Sequence, residues 1–419
     1  MDEKVVSGII PMERINYKGK TVLLRLDINS PIDSVTKKIV NINRINMSLP
    51  TLRYLLNQNA KIVIIAHQGD TLDYENLISM EEHAEILSEK LGKKVDYIDD
   101  VCGPAAQEAI KNLKEGEMIL LGNLRYLSEE ISTFEKAVKL KPEKMLNTYL
   151  VRSLAPLVDC YVNDAFSAAH RNAPSMVAFQ EILPTAGGIL MIEEINALTK
   201  VMESPDKPLV FVLGGAKISD AFGMMKQVLS NGAADKILTC GITGHIMLLA
   251  KGYDIGKGNL KFIKDRGLDE FIKPAKEYLE SYPDKILFPI DLALEKDDKR
   301  IEVGIDQLPV DNICMDIGSK TVEIYKNEIA KAGTIFVNGP AGVYENSLFE
   351  YGTKEIWNSF TQAKGYSVIG GGDTVSAAQK FVDTSNIGYV CTAGGAMVRF
   401  LSGIKLPLIE AMKKAKLVK

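Results

Sequence analysis

The chain has 419 residues, is 46% hydrophobic and 25% charged, and carries a formal net charge of −4. That length exceeds one ordinary hydrophobic core, so two domains are expected, and without a basic excess wholesale nucleic-acid binding is excluded. Five scattered cysteines with no Cys-x-x-Cys spacing argue against a disulfide framework or zinc site. Met1-Asp-Glu-Lys4 lacks an apolar signal core and no run reaches the ~18 apolar residues of a membrane span, so a cytoplasmic location is expected.

Apolar runs of strand length alternate with helix-length amphipathic stretches along the chain. Strands are expected at Thr21–Leu26, Lys61–Ala66, Met118–Leu121, Cys160–Val162, Leu209–Leu213, Lys236–Thr239, Ile286–Phe288, Thr334–Val337, Ser367–Ile369 and Gly388–Cys391. Helical patterns lie between them, at Met80–Leu91, Leu146–Leu157 and Ser219–Asn231. Several strand runs lack period-two alternation, as strands buried on both faces do. The fold class is therefore α/β, with parallel sheets covered by helices. A long helical pattern, Ile189–Met202, is bracketed by proline and glycine and reads as a helix joining two α/β domains. The charged stretch Phe134–Lys144 reads as a surface insertion.

The first half places polar residues where its strands end. Arg25, Asp27 and Asn29 alternate, hence share one side of an extended backbone. Arg44 follows in Asn-Ile-Asn-Arg-Ile, His67 ends the second run, Arg125 ends the third, and His170-Arg171 closes the fourth. Ligands of open α/β sheets collect at the carboxyl ends of strands. Arginine suits phosphate there, because its planar fork donates two parallel hydrogen bonds. Each residue also has a plainer reading: a surface ion pair for an arginine, a core position for His67, a turn before Pro31 for Asp27 and Asn29. His83 and His245 fall within helical patterns and are read as structural.

Three glycine turns stand in the second half, each after an apolar run and before a helical one. They are Leu213-Gly-Gly-Ala-Lys217, Gly370-Gly-Gly-Asp-Thr374 and Ala393-Gly-Gly-Ala396. Glycine lets the backbone approach a ligand, and the first N–H groups of a helix point at it with a favourable dipole for anions. Three such turns in one domain indicate a phosphate compound, above all a nucleotide. Lys217 is either a phosphate contact or an exposed helix lysine, and Asp373 either a magnesium or phosphate-site residue or an N-cap. Glu345, in Asn338-Gly-Pro-Ala-Gly-Val-Tyr-Glu345, either takes a ribose hydroxyl or caps a helix. No Walker-type Gly-x-x-x-x-Gly-Lys-Ser/Thr is present there.

The ordered series RLDINSP, NRI, AHQG, NLR, VNDAFSAAHR, LGGAK, NGPAGVYE, GGGDT and TAGGA resembles the phosphoglycerate kinase family from about Thr21 to Leu408. Details such as AHQ, SMEEHAEIL and GITGHIMLLAKGYDIG resemble its archaeal members. The resemblance implies two doubly wound, Rossmann-like parallel-sheet domains joined by a long helix, with a deep, hinge-bending cleft. It implies a glycerate domain at 1–184, the helix at 185–204, a nucleotide domain at 205–407 and a tail at 408–419 that packs back on the first domain. Asp27, Asn29, Arg44, His67, Arg125, His170 and Arg171 would then line a site for 3-phosphoglycerate or 1,3-bisphosphoglycerate. Gly214, Ala216, Lys217, Asp220, Gly241, Gly318, Asn338, Gly339, Glu345, Asp373 and Thr374 would line a site for ADP or ATP with Mg2+ at Asp373. Arg44, Lys217 and the backbone at Gly371 and Gly394 would neutralise the transferred group. The implied partners are these small molecules, with no nucleic acid or membrane, in a monomer or weak homodimer.

Three departures stand out. Asp70 occupies the place of a family arginine after the strand-end histidine, Ala221 that of a lysine in many members, and Gly122 that of a glutamate before Asn-Leu-Arg. Asp70 is expected to weaken phosphate binding. It leaves open a related carboxylate kinase with a different acceptor, beside a non-catalytic nucleotide-binding homologue.

Overall fold

The computed structural model describes residues 8–415. The expectations for Met1–Lys4 and for the last residues of the 408–419 tail lie outside them. The chain divides into two compact units. One holds the residues up to Asn196 and those from Lys405 on, the other Ala197–Ile404. The division falls within the helix Ile189–Glu203.

The first unit is built on strands β1 (Thr21–Leu26), β2 (Lys61–Ile65), β3 (Val95–Ile98), β4 (Met118–Leu121), β5 (Cys160–Asp164) and β6 (Thr185–Gly187). They form one sheet, ordered β3-β4-β2-β1-β5-β6, and every pair is parallel. The central runs are buried along almost their whole length and largely apolar, with polar residues only toward the strand ends, as at Arg25 and Asn163-Asp164. Val22, Leu24, Ile62, Ile64 and Val162 pack with Leu49, Leu52 and Leu55 of the helix Asn43–Asn57 in one core. The helix Glu81–Leu91 stops at Gly92, whose left-handed φ of 62° suits a glycine C-cap. Asp164, at the end of β5, accepts the Met191 N–H at 2.8 Å near the start of the helix Ile189–Glu203. The terminal helix Pro407–Lys414 also belongs to this unit: its Leu408 N–H donates to Ala169 O at 3.1 Å.

The second unit repeats the scheme with β7 (Leu209–Leu213), β8 (Lys236–Thr239), β9 (Ile286–Leu287), β10 (Asp291–Lys296), β11 (Lys299–Gly304), β12 (Cys314–Ile317), β13 (Thr334–Asn338), β14 (Tyr366–Gly370) and β15 (Tyr389–Cys391). Six of them form a parallel sheet, β15-β14-β13-β7-β8-β9.

The other three depart from the all-parallel expectation: β11-β10-β12 is antiparallel. Its hairpin turns at Asp297-Asp298, both at positive φ (54° and 56°), which is the two-residue geometry that matches strand twist. The expected helix Leu146–Leu157 is broken into a 3-10 turn Pro142–Asn147, a short helix Tyr149–Leu154 and a 3-10 turn Ala155–Leu157, with extended Thr148 between the first two. The stretch Phe134–Lys144 is not solely surface, because Glu135 turns inward onto Arg171.

Both parallel sheets reverse direction beside a central strand. The chain leaves β1 toward β2 and β5 toward β6, on opposite sides. It leaves β7 toward β8 and β13 toward β14 in the same way. Side chains collected beyond β1/β5 and β7/β13 therefore sit at topological switch points, where α/β sheets hold ligands.

Phe336 is fully buried on β13 and lies against Phe211 of β7 with ring centroids 5.2 Å apart. Phe336→Ala is expected to cost about 3–5 kcal/mol in denaturant unfolding of the second unit, through lost burial and the cavity left behind.

Candidate active site

At the switch point of the first sheet, cationic side chains converge. Arg25, nearly fully buried on β1, places Nη2 2.9 Å from His67 Nδ1, just past β2. Arg44, in the first turn of the helix Asn43–Asn57, donates from Nη1 to Asp27 Oδ2 at 2.7 Å. That carboxylate also takes the Ser167 hydroxyl. Asn29 accepts the Gly69 N–H at 3.0 Å and so ties the β1 loop to the β2 loop. Arg125 and Arg171 both donate to the backbone carbonyl of Glu130, at 2.8 and 3.5 Å. His170 precedes Arg171 on the loop after β5, partly buried.

The electrostatics follow from this crowding. Burial, then the fields of Arg125, Arg25, Arg44 and Arg171, holds the His67 imidazole well below the ordinary histidine value, so it is neutral at pH 7. Arg125 is pushed down to about 10, first by burial and then by Arg171 and Arg25; the nearest opposing charges are Glu130 and Asp70. Glu130 is itself buried, and its carboxylate accepts the Ser175 N–H at 2.7 Å and the Ser175 hydroxyl at 2.6 Å. Burial pushes this carboxyl up, against the pull of Ser175 and the two nearby arginines.

At the switch point of the second sheet the chemistry is backbone. Gly214 N–H donates to Asn338 O, Gly215 N–H to Pro340 O and Gly241 N–H to Ala341 O, all within 2.8–3.0 Å. These bonds stitch the loops after β7, β8 and β13 together. Only glycine fits at Gly214: an added Cβ would lie 2.3 Å from Pro340 O. The helices Ile218–Ser230, Gly241–Ala250, Gly372–Phe381 and Gly394–Leu401 all begin here.

Two hollows result. One, of about 230 Å³, is lined by Gly214, Ala216, Lys217, Asp220, Asn338, Gly339, Gly371, Asp373, Thr374 and Gly394. Lys217 Nζ lies 3.5 Å from Asp373 Oδ2, both side chains largely exposed. Thr374 accepts the Gly339 N–H at 2.8 Å, and Asn338 donates to Gly370 O at 2.7 Å. Burial raises the Asp220 carboxyl, while Lys217 and Arg399 oppose the shift. The second hollow, about 320 Å³, shares Ala216 and Asp373 and adds Gly241 and Glu345. Its remaining wall is mostly apolar, including Phe262, Leu292, Ile317 and Tyr344. Gly318 lines neither hollow. Its Cα faces the Asp291 carboxylate, which caps the helix Ser319–Lys331 through the N–H groups of Lys320 and Thr321.

The family model for phosphoglycerate kinase matches residues 12–404. A phosphoglycerate kinase of Methanothermus fervidus is 42% identical over 405 residues, 97% of either chain. The chain belongs to the phosphoglycerate kinase family. Among solved structures, the phosphoglycerate kinase from Pyrococcus horikoshii OT3 matches with TM-score 0.87 at 38% identity, covering 97% of this chain and 99% of that one. The phosphoglycerate kinase from Coxiella burnetii matches at 0.82 and 32%, over 97% and 100%. Full-length membership gives the chain phosphoglycerate kinase activity, a phosphotransfer with a carboxyl group as acceptor.

Within this phosphoglycerate kinase fold, the three departures have distinct surroundings. Asp70 is exposed, and its carboxylate acts on Arg125. Ala221 is buried on the inner face of its helix, where a lysine would have to be desolvated. A Cβ at Gly122 would stand 3.2 Å from the Asp100 backbone, so this glycine permits close strand-end packing.

Some site features carried no sequence signal. Glu130 and Ser175 are 45 residues apart and joined only by the fold. Phe262, Leu292 and Ile317 look like any core residues. His245, read as structural, lines the larger hollow; burial holds it down to about 4. Gly214→Ala is expected to separate the β7 and β13 loops and weaken nucleotide binding at least tenfold by calorimetry, with the first unit's thermal transition unchanged.

Proposed function

We propose that the chain transfers a phosphoryl group reversibly between the acyl phosphate of 1,3-bisphosphoglycerate and the β-phosphate of ADP, yielding 3-phosphoglycerate and ATP. The observation that carries this reading is the arginine cluster around neutral His67, in which the buried Arg125 Nε has no hydrogen-bond acceptor. A buried donor without an acceptor costs about 1–3 kcal/mol, which an incoming carboxylate or phosphate oxygen recovers. In this assignment Asp27, Asn29, Arg44, His67, Arg125, His170 and Arg171 bind the glycerate.

The glycine-lined hollow takes the nucleotide phosphates at Gly214, Ala216, Lys217, Asp220, Asn338, Gly339, Asp373 and Thr374. The larger, apolar hollow takes the base and ribose beside Gly241, with Glu345 at a ribose hydroxyl. Gly318 supports this wall from outside through the Asp291 cap. A magnesium ion fits the phosphate hollow at Asp373. Among the described residues no three His, Cys, Asp or Glu side chains gather to make a cage. Mg2+ typically binds through one or two carboxylates, substrate phosphates and water. When bound, it neutralises phosphate charge.

The reaction needs no protein nucleophile, because the attacking oxygen is already an anion on phosphate or carboxylate. The protein's task is alignment and charge neutralisation. Arg44 and Lys217 do this with side chains, and Gly371 and Gly394 with N–H groups at helix starts.

Arg44→Ala is expected to lower kcat with MgATP and 3-phosphoglycerate by about 10²–10³-fold while ATP affinity holds. Undiminished turnover would remove Arg44 from the chemistry. Asp70 is exposed and its carboxylate acts on Arg125, so in this reading it opposes an incoming phosphate there. Asp70→Arg is expected to lower KM for 3-phosphoglycerate about tenfold. An unchanged KM would place that loop outside the site.

A further inference from the structure

The arginine cluster is already faced by four carboxylates. Asp27 is held by Arg44 and the Ser167 hydroxyl, and Glu130 is buried on Ser175. Asp70 is exposed and, among the described residues, bonds only the N–H of its own neighbour Thr71, at 2.6 Å. Glu135 differs from all three. Its carboxylate accepts from Arg171 Nε at 2.6 Å and also pairs with Nη2, with both side chains largely buried, 12% and 15% exposed. Among the described residues, no other side chain bonds this carboxylate.

A single oxygen of Glu135, Oε1, therefore meets both nitrogens of the guanidinium edge that a planar carboxylate or a phosphate would take with two oxygens. Its tether is short. It projects from the seven-residue helix Ser132–Val138, which ends at left-handed Lys139. The same segment is fastened to the site's rim by Asn172, whose amide donates to Leu140 O at 3.0 Å. The Arg171 backbone is held separately, its N–H on Ala168 O at 2.9 Å, and its Nη2 has a second acceptor in Glu130 O. Arg171 thus keeps its place without Glu135, whereas Glu135 has nothing else to hold.

We propose that Glu135 is an internal competitor for Arg171: its carboxylate fills the guanidinium in the free protein and must be displaced by the anionic group of the substrate. This rests on the assignment of Arg171 to the glycerate site. Glu135 is then a specificity-determining residue rather than a catalytic one. It raises the KM for the glycerate substrate and selects against weakly charged acids, which cannot dislodge it. Of the carboxylates facing the four guanidinium groups, an entering anion competes most directly with one that is bonded to an arginine alone. Glu135 is the one bonded directly to an arginine with no further anchor.

The test is Glu135→Gln, which keeps size and hydrogen-bonding shape and removes the charge. Two quantities are read: KM and kcat with MgATP and 3-phosphoglycerate, and the calorimetric Kd of 3-phosphoglycerate alone. Competition predicts that KM and Kd both fall by about three- to tenfold, with kcat changed by less than KM. A scaffolding role for the pair predicts the opposite sign. A KM or Kd that rises or stays constant, in a variant whose thermal melting matches the parent, overturns the proposal while leaving the phosphotransfer reading intact. If the parent protein turns over but binds 3-phosphoglycerate unchanged after Arg171→Ala, the competition has no object and the proposal also fails. Absence of any 3-phosphoglycerate binding by the parent overturns both readings together.

Discussion

The constraint on which the first unit depends is repulsion between like charges gathered around one buried imidazole. Two unit charges 6 Å apart in a half-buried setting repel by about 3 kcal/mol, so four guanidinium groups cannot be packed together without counter-ions. The unit solves this with side chains that also define geometry. Glu130 uses its carboxylate to hold Ser175 and its carbonyl to hold Arg125 and Arg171. Asp27 holds Arg44 and the loop after β5 at once. The buried Arg125 Nε is left without an acceptor. His67 stays neutral because a fifth positive charge there would be too costly.

The second unit meets the same demand by other means. It places helix N-termini and glycine turns around a hollow, so that the positive potential comes from peptide dipoles and not from buried ions. Close approach is the requirement. The loops after β7 and β13 touch through Gly214 and Gly339, where a Cβ would lie 2.3 Å from the facing backbone. Lys217 and Asp373 stay exposed, paired with each other at 3.5 Å. One cluster is thus built from charged side chains and the other from backbone, and both stand at the switch point of a parallel sheet.

Much of this was legible in the chain. Strands such as Met118–Leu121 and Leu209–Leu213 are continuous apolar runs, Thr21–Leu26 is apolar but for Thr21 and Arg25, and the bounds read from the sequence are the bounds observed. Val95–Ile98 carries no strand signal because Asp96 interrupts its apolar run, and Thr185–Gly187 none because three residues carry no period. The antiparallel hairpin hid its turn in Asp297-Asp298, where aspartates rather than glycine adopt positive φ. In the site, glycine turns and strand-end arginines announce themselves. Their counter-ions do not: Glu135 and Arg171 are 36 residues apart, and only tertiary packing joins them. The apolar wall of the larger hollow was equally hidden, since Phe262 and Ile317 differ from core residues only in what they face.

In the proposed function the arginine field, held in place by its own carboxylates, receives a polyanionic glycerate. The most direct measurement follows the His67 ring by NMR as pH falls, without and with saturating 3-phosphoglycerate. Only four histidines are present, so the ring signals are resolvable. His67 is expected to remain neutral at pH 6 in the free protein, because burial and four guanidinium groups oppose its proton. Bound anion should cancel part of that field and move its titration upward by about one pH unit or more. A His67 titration that ignores saturating 3-phosphoglycerate would contradict this, because it would place the anion away from the arginines.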